Sequence, residues 1–323
     1  MTPPSRLSGL RGLVRRVLPT PVVEALRERV ITPLSVKSMV SRQPAFVRSL
    51  RRALGMKPVL YHFEVHITDH CNLNCKGCAH FSNLCKPTFA EIAEFEADMK
   101  RMSALFDVRQ IYLLGGEPLL HPQVAAFVRV AREVFPKTRI YLMTNGTLVT
   151  KMSDEFWRAL ADANVVLLAD SYPIGLPVGE IDRLGRVYGV TVEWTVPREE
   201  FFKIPIDVAG GHDAAASFHK CRGYNNCPII RDGRLYPCAY IAFADVFRDR
   251  FGIERGLEVS EADSVDIRKA EDGNGVLDFM LRPVPWCANC DMESMEFYTW
   301  GRSKKSIDEW TRDCGHTERG EAG

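Results

Sequence analysis

No run of this chain reaches the ~18–20 consecutive apolar residues that a membrane-spanning helix needs, so a transmembrane protein is not expected. The opening residues, MTPPSRLSGLRGLVRRVLPT, lack an uninterrupted apolar stretch because Arg11, Arg15 and Arg16 break it. A secretory signal is therefore not expected, and a reducing cytoplasm is the expected location. Aromatic and basic residues do not interleave in the body, which leaves no platform for stacking bases and no expectation of a nucleic-acid partner. No internal repeat stands out. A large net charge is missing too: 42 basic side chains against 41 acidic ones leave +1. That balance hides an asymmetry. Residues 1–55 hold eleven Arg or Lys against two Glu, so an electrostatic partner should meet this segment and not the body.

With 323 residues the chain is long enough for one large α/β domain and a smaller appendage. Hydrophobic residues at 46% and charged residues at 26% fit a globular class and exclude a wholly disordered one. The ten cysteines do not read as a secreted disulfide scaffold, because the chain is too large to need staples and the cysteines fall in tight clusters.

Four segments follow from the pattern. Residues 1–58 read as a basic helical arm punctuated by prolines; Leu10, Leu13, Val14, Val17 and Leu18 recur at helical spacing with arginines between them. Such an arm is expected to pack on the body with a solvated basic face, or to touch the inner membrane surface peripherally. Residues 59–205 alternate strand and helix. Strands are expected at 59–67, 110–114, 139–143, 165–169 and 190–196. Helices are expected from Thr88 to Leu105, with Glu91 completing a capping box, then over 122–134, from Ser153, and over 178–187. This order predicts a parallel sheet with covered faces. The alternation fails after 205; residues 206–300 read as a small Cys-rich domain, and 301–323 as a tail ending in a frayed TERGEAG.

The segment HITDHCNLNCKGCAHFSN places Cys71, Cys75 and Cys78 directly after the first strand. Three thiolates on one loop suit three irons of a [4Fe–4S] cube, with one iron left open for a small molecule. The competing reading is zinc with His70, His80 or Cys85 as a fourth ligand, though a lone triplet suits a structural zinc site poorly.

Cx3Cx2C in this position resembles the signature of the radical S-adenosylmethionine superfamily. Gly115-Gly116-Glu117-Pro118 after QIYLL looks like that family's GGEP motif, and Thr144-Asn145-Gly146 after RIYLM resembles its TNG segment. Together the motifs span residues 59–196, a little under half the chain. The resemblance implies a partial (β/α)6 barrel and the cofactors S-adenosyl-L-methionine and a [4Fe–4S] cluster on Cys71, Cys75 and Cys78. It implies that the glycine backbone meets the methionine ammonium, with Glu117 nearby. Asp170 and Ser171, ending the next strand, are candidates for the ribose hydroxyls; a solvated helix cap is the plain alternative. The family usually carries an apolar or aromatic residue just before the third cysteine. Here it is Gly77, so adenine packing is expected from elsewhere, with Phe81 as the candidate. His121 is assigned to the turn before Pro122, and Glu193 is the only late-strand carboxylate nominated as a base, with a solvent-facing or paired Glu as the plain alternative.

A second cysteine group, Cys221, Cys227, Cys238, Cys287 and Cys290, includes Gly233-x4-Cys238 and the CxxC of WCANC. It resembles the family's SPASM or twitch extension and implies one auxiliary [4Fe–4S] cluster. Cys221, Cys238, Cys287 and Cys290 form one set of four; another admits Cys227. A zinc site is the alternative. Cys85 and Cys314 stay unassigned.

The expected function is hydrogen-atom abstraction from a small polar metabolite, a sugar or aminocyclitol derivative, leading to oxidation, epimerisation or dehydration. A flavodoxin- or ferredoxin-type electron donor is the implied partner. The alternatives are radical modification of a ribosomally made peptide and a non-catalytic zinc-bound scaffold.

Overall fold

The computed structural model describes residues 40, 42–197, 200–221 and 227–312. Most of the expected N-terminal arm, the TERGEAG end and Cys314 lie outside them.

Helix α1 (Ala45–Ala53) leads into the α/β region. There β1 (Val59–Thr68), β2 (Asp107–Gly115), β3 (Arg139–Thr144), β4 (Val166–Ala169) and β5 (Val192–Trp194) alternate with α2 (Ile92–Leu105), α3 (Val124–Val134), α4 (Asp154–Asp162) and α5 (Val178–Tyr188). Next come β6 (Glu200–Lys203), β7 (Ile229–Arg231), β8 (Arg234–Tyr236), β9 (Val265–Asp266) and β10 (Glu296–Thr299). The main sheet runs β5-β4-β3-β2-β1-β7-β8-β9. All pairs from β5 to β7 are parallel, whereas β7-β8 and β8-β9 are antiparallel. It is a mixed α/β fold on a parallel sheet whose strand order does not close on itself. Part of the Cys-rich segment thus enters the same sheet, with β7 hydrogen-bonded to β1.

The pattern explains the elements. Alternate residues of β1 divide between two cores. Phe63, Val65 and Ile67 join Phe95 and Met99 of α2 and Phe127 and Val128 of α3. His62 and His66 face the other way, toward Tyr112 and Phe243. A second core lies on that side, where Phe81, Ile204, Tyr240, Phe247 and Trp310 pack together. Helix α4 starts at Ser153, whose side chain accepts the Phe156 N–H, and Asp154 and Glu155 lie in its first turn.

Two local expectations are corrected. Thr88 does not cap α2. Its carbonyl accepts the Thr68 hydroxyl at 2.7 Å, and Phe89 bridges Thr68. Residues 88–90 therefore stay extended against the end of β1, and the helix starts at Ile92 with no side-chain cap. The strand expected over 190–196 shortens to Val192–Trp194. Residues 301–312, assigned to the tail, are packed: Trp310 is fully buried, and Gly301 and Ser303 hydrogen-bond to the cysteine loop.

Candidate active site

The pairing of β1 with β2 shifts register between His66 and Thr68, and the chain then turns into the loop carrying the three cysteines. The GGEP segment follows β2 and TNG follows β3, so all three motifs gather at one end of the sheet.

Gly115 and Gly116 lie against protein backbone. A Cβ on Gly115 would stand 2.0 Å from the Thr68 carbonyl oxygen, and one on Gly116 would stand 2.2 Å from that of His70. Only glycine permits this approach. The Gly116 N–H donates to Thr68 O at 2.9 Å and the Glu117 N–H to His70 O at 3.1 Å. The sequence reading assigned these glycines to a ligand's approach; the close approach present in the structure is to the cysteine loop.

Glu117 is fully buried. Its carboxylate accepts the Thr144 hydroxyl at 2.7 Å, the Asn145 N–H at 2.8 Å and the Leu119 N–H at 3.1 Å. Burial raises its pKa to about 7, against these donors. Pro118 opens the short 3-10 turn that follows. Asn145 carries the link onward, donating to Asn72 Oδ1 at 2.9 Å and to Cys71 Sγ at 3.6 Å. Gly146 takes φ 80°, and its N–H reaches Thr144 Oγ1 at 3.1 Å.

Each sulfur has donors of its own. Cys71 accepts the Leu73 N–H at 3.3 Å. Cys75 accepts the Trp300 indole N–H at 3.2 Å and also hydrogen-bonds with Tyr172. Cys78 accepts backbone N–H groups of Ser82, His80 and Asn83. The three thiols interact with one another electrostatically. Burial raises the pKa of Cys71 to about 12 and of Cys75 to about 11, and pushes Cys78 up as well. Thiols in such surroundings become thiolates on binding metal cations. Three sulfurs on one loop, each offered N–H donors, fit cluster ligation.

Of the possible fourth ligands His70, His80 and Cys85, both histidines use Nδ1 within the fold, and burial raises the Cys85 thiol pKa to about 12. His70 Nδ1 bonds to Thr68 Oγ1 at 2.8 Å, and His80 Nδ1 to His66 Nε2 at 2.8 Å. Among the described residues no group of three or more His, Cys, Asp or Glu is arranged to hold a single metal ion. A cubane spreads its thiolates over separate irons and does not need them to converge on one point.

Phe81 is not free to receive an adenine, because it is fully buried against Tyr240, Phe247 and Trp310. The glycine before Cys78 has a local cause. Gly77 takes φ 61°, and a Cβ there would meet Tyr298 Oη at 2.5 Å. Tyr298 spends that hydroxyl on Lys76 O at 2.8 Å. Asp170 is buried, and Ser171 Oγ donates to Thr195 O at 2.7 Å. His121 is held in its turn by Gln123 N and Ala90 O, as assigned. Glu193 pairs with Arg139.

Sequence reasoning missed the C-terminal cover of the loop. Lys76 N donates to Gly301 O and Ser303 N to Asn74 O, both at 2.9 Å, and Trp310 Nε1 donates to Cys78 O at 2.9 Å. Glu309 accepts the Gly77 N–H at 3.4 Å. The signal available was the capping-box pattern Ser306-x-x-Glu309 beside a tryptophan.

In the second cysteine group, Cys221, Cys238, Cys287 and Cys290 line one cavity of about 30 Å³ with Phe218, Ile241 and Trp286. Cys227 is not in that lining. Burial and then the other three thiols raise the Cys290 pKa. Asp232 and Gly233, both at positive φ, form the tight turn between β7 and β8 that precedes Cys238. Four thiols lining an apolar cavity fit a cluster, which spreads its thiolates over separate irons, better than a single ion.

These features fit an iron–sulfur site. Residues 65–194 match the family model of the radical SAM superfamily. Among curated relatives, GTP 3',8-cyclase of Heliobacterium modesticaldum is 27% identical over 139 residues, covering 42% of this chain and 41% of that protein. GTP 3',8-cyclase of Pelotomaculum thermopropionicum is 28% identical over 179 residues, covering 52% and 49%. The chain thus spans half or less of these relatives' length. Among solved structures, BtrN in complex with AdoMet and 2-DOIA is 15% identical with TM-score 0.42, covering 73% of this chain and 94% of that one. Streptococcus suis SuiB is 15% identical with TM-score 0.34, covering 41% and 32%.

Proposed function

We propose that this enzyme holds a [4Fe–4S] cluster on Cys71, Cys75 and Cys78 and abstracts a hydrogen atom from a small polar metabolite, a sugar or aminocyclitol derivative. The carrying observation is the gathering of the three thiols, GGEP and TNG at one end of the sheet. When bound, the cluster and S-adenosylmethionine supply one-electron cleavage of the S–C5′ bond and hence a 5′-deoxyadenosyl radical. The chain's own residues position and exclude. Glu117 fixes the TNG turn, Asn145 ties that turn to Cys71, and Tyr172, Tyr298 and Trp300 screen the Cys75 side from water. Gly115, Gly116, Thr144, Gly146, Asp170 and Ser171 border the space for the co-substrate. The polar substrate class is supported by the sheet face away from the helices, where His62 lies against Tyr112 and Tyr112 stacks on Tyr141. Residues 206–300 act as a SPASM/twitch-like segment whose auxiliary cluster sits on Cys221, Cys238, Cys287 and Cys290. A flavodoxin or ferredoxin supplies the electron.

Anaerobically reconstituted protein, given dithionite and S-adenosylmethionine, is expected to release 5′-deoxyadenosine, and Cys75→Ala to abolish it. Label from a deuterated sugar or aminocyclitol should enter the 5′-deoxyadenosine. Cleavage surviving Cys75→Ala would refute the ligand assignment; label arriving only from a peptide would refute the substrate class. Colourless protein holding zinc would instead support the scaffold.

A further inference from the structure

Helix α1 is mounted the wrong way round for a helix that packs on its own protein. A surface helix normally turns its apolar stripe to the core and its charges to water. Here Arg51 is the anchor. Its guanidinium bonds to Asp107 at 3.0 Å and to the Lys57 carbonyl at 2.8 Å, and its side chain is only 17% exposed. Arg48 turns back to the Gln43 carbonyl at 2.8 Å. The apolar side points outward instead: Phe46 is 72% exposed, Leu50 55% and Leu54 64%. Their i, i+4, i+8 spacing makes one continuous stripe, which Met56, also exposed, extends. No residue of this helix is buried.

We propose that this stripe docks on an anionic lipid surface. Charge complementarity selects that occupant. The helix holds three arginines and no carboxylate, Lys57 stands exposed just after it, and residues 1–55 carry eleven basic side chains against two acidic ones. An exposed apolar stripe on a segment of net positive charge suits the interface between headgroups and acyl chains. A second copy of this chain would bring the same cations against them. The placement also suits the site. Helix α1 lies at the end where β1 and β2 begin, with Arg51 on Asp107, whereas the cysteine loop leaves the opposite end of β1. Docking therefore leaves the candidate active site facing away from the lipid.

The test is vesicle co-sedimentation of the full chain at low salt. The vesicles are phosphatidylcholine containing about 30% phosphatidylglycerol, with pure phosphatidylcholine as the comparison. The native chain should partition onto the anionic vesicles and dissociate as salt approaches ~0.5 M, as screening removes the cationic attraction. Phe46→Ser/Leu50→Ser/Leu54→Ser should weaken partitioning about tenfold or more, because each removes apolar area that the interface would bury. Leu50→Trp gives an independent readout: its added emission should shift to the blue on anionic vesicles alone. Undiminished binding by the triple variant, an unshifted Trp signal, or a native dimer that the triple variant splits would each overturn the proposal.

Discussion

Trp300 donates its indole N–H to Cys75 Sγ at 3.2 Å, from a segment more than 200 positions away in sequence. A hydrogen bond to a cluster thiolate stabilises the more negative, reduced cube and raises its reduction potential. Trp300→Phe keeps a ring beside Tyr172 and removes only that donor. The reconstituted variant is expected to hold the same iron as the parent but to show a lower midpoint potential in an EPR-monitored redox titration. A potential equal to the parent's would mean that the indole does not act on the sulfur. Glu117 has a different task. It faces the Asn145 and Leu119 N–H groups and the Thr144 hydroxyl, so its carboxylate works as a joint between GGEP and TNG. The GGEP resemblance implied a place for it near the methionine ammonium; in the structure its buried oxygens accept from Thr144, Asn145 and Leu119.

At the scale of elements, the segment closing β2 tests how tightly the motif loops are fitted. A methyl group on Gly116 would lie 2.2 Å from the His70 carbonyl oxygen, and backbone cannot swing aside as a flexible side chain would. Gly116→Ala is expected to destabilise the protein by about 2–3 kcal/mol and to lower iron loading, because the strain falls on the loop before Cys71. Gly179→Ala in α5, with nothing within 4 Å of the new methyl, serves as the control and should be neutral or slightly stabilising. Denaturant midpoints and iron content of the two variants check this, and equal values would show that the loop yields freely. The sequence made β1 to β4 legible because their apolar runs are read locally. The three motifs were legible because each follows its strand directly. Thr88 misled because its capping pattern competes with a pairing to Thr68 twenty residues earlier. Phe81 misled because its partners, Tyr240, Phe247 and Trp310, come from far along the chain. The cover over residues 74–77, built from 298–310, was invisible for the same reason: a contact between distant segments leaves no periodicity in either.

Across the whole molecule, the two cysteine groups are carried by one framework. β1 delivers the triplet, β7 pairs with it through Glu64↔Ile229 and Val65↔Ile230, and β8 leads directly to Cys238. Cys221, Cys238, Cys287 and Cys290 line one apolar cavity, which favours that ligand set over one that includes Cys227. A cube needs four thiolates for closed ligation, so a fifth has no iron to hold. Anaerobically reconstituted protein is therefore expected to bind about eight irons, Cys227→Ser about eight, and Cys238→Ser about four. Because the triplet and its N–H donors do not draw on Cys238, the Cys238→Ser protein should still cleave S-adenosylmethionine with dithionite, even where turnover of the true substrate fails. Iron analysis with Mössbauer spectra distinguishes the cases. If Cys227→Ser, and not Cys238→Ser, lost half the iron, the cavity would not be the auxiliary site; if both kept eight, a donor outside these five would complete the second centre.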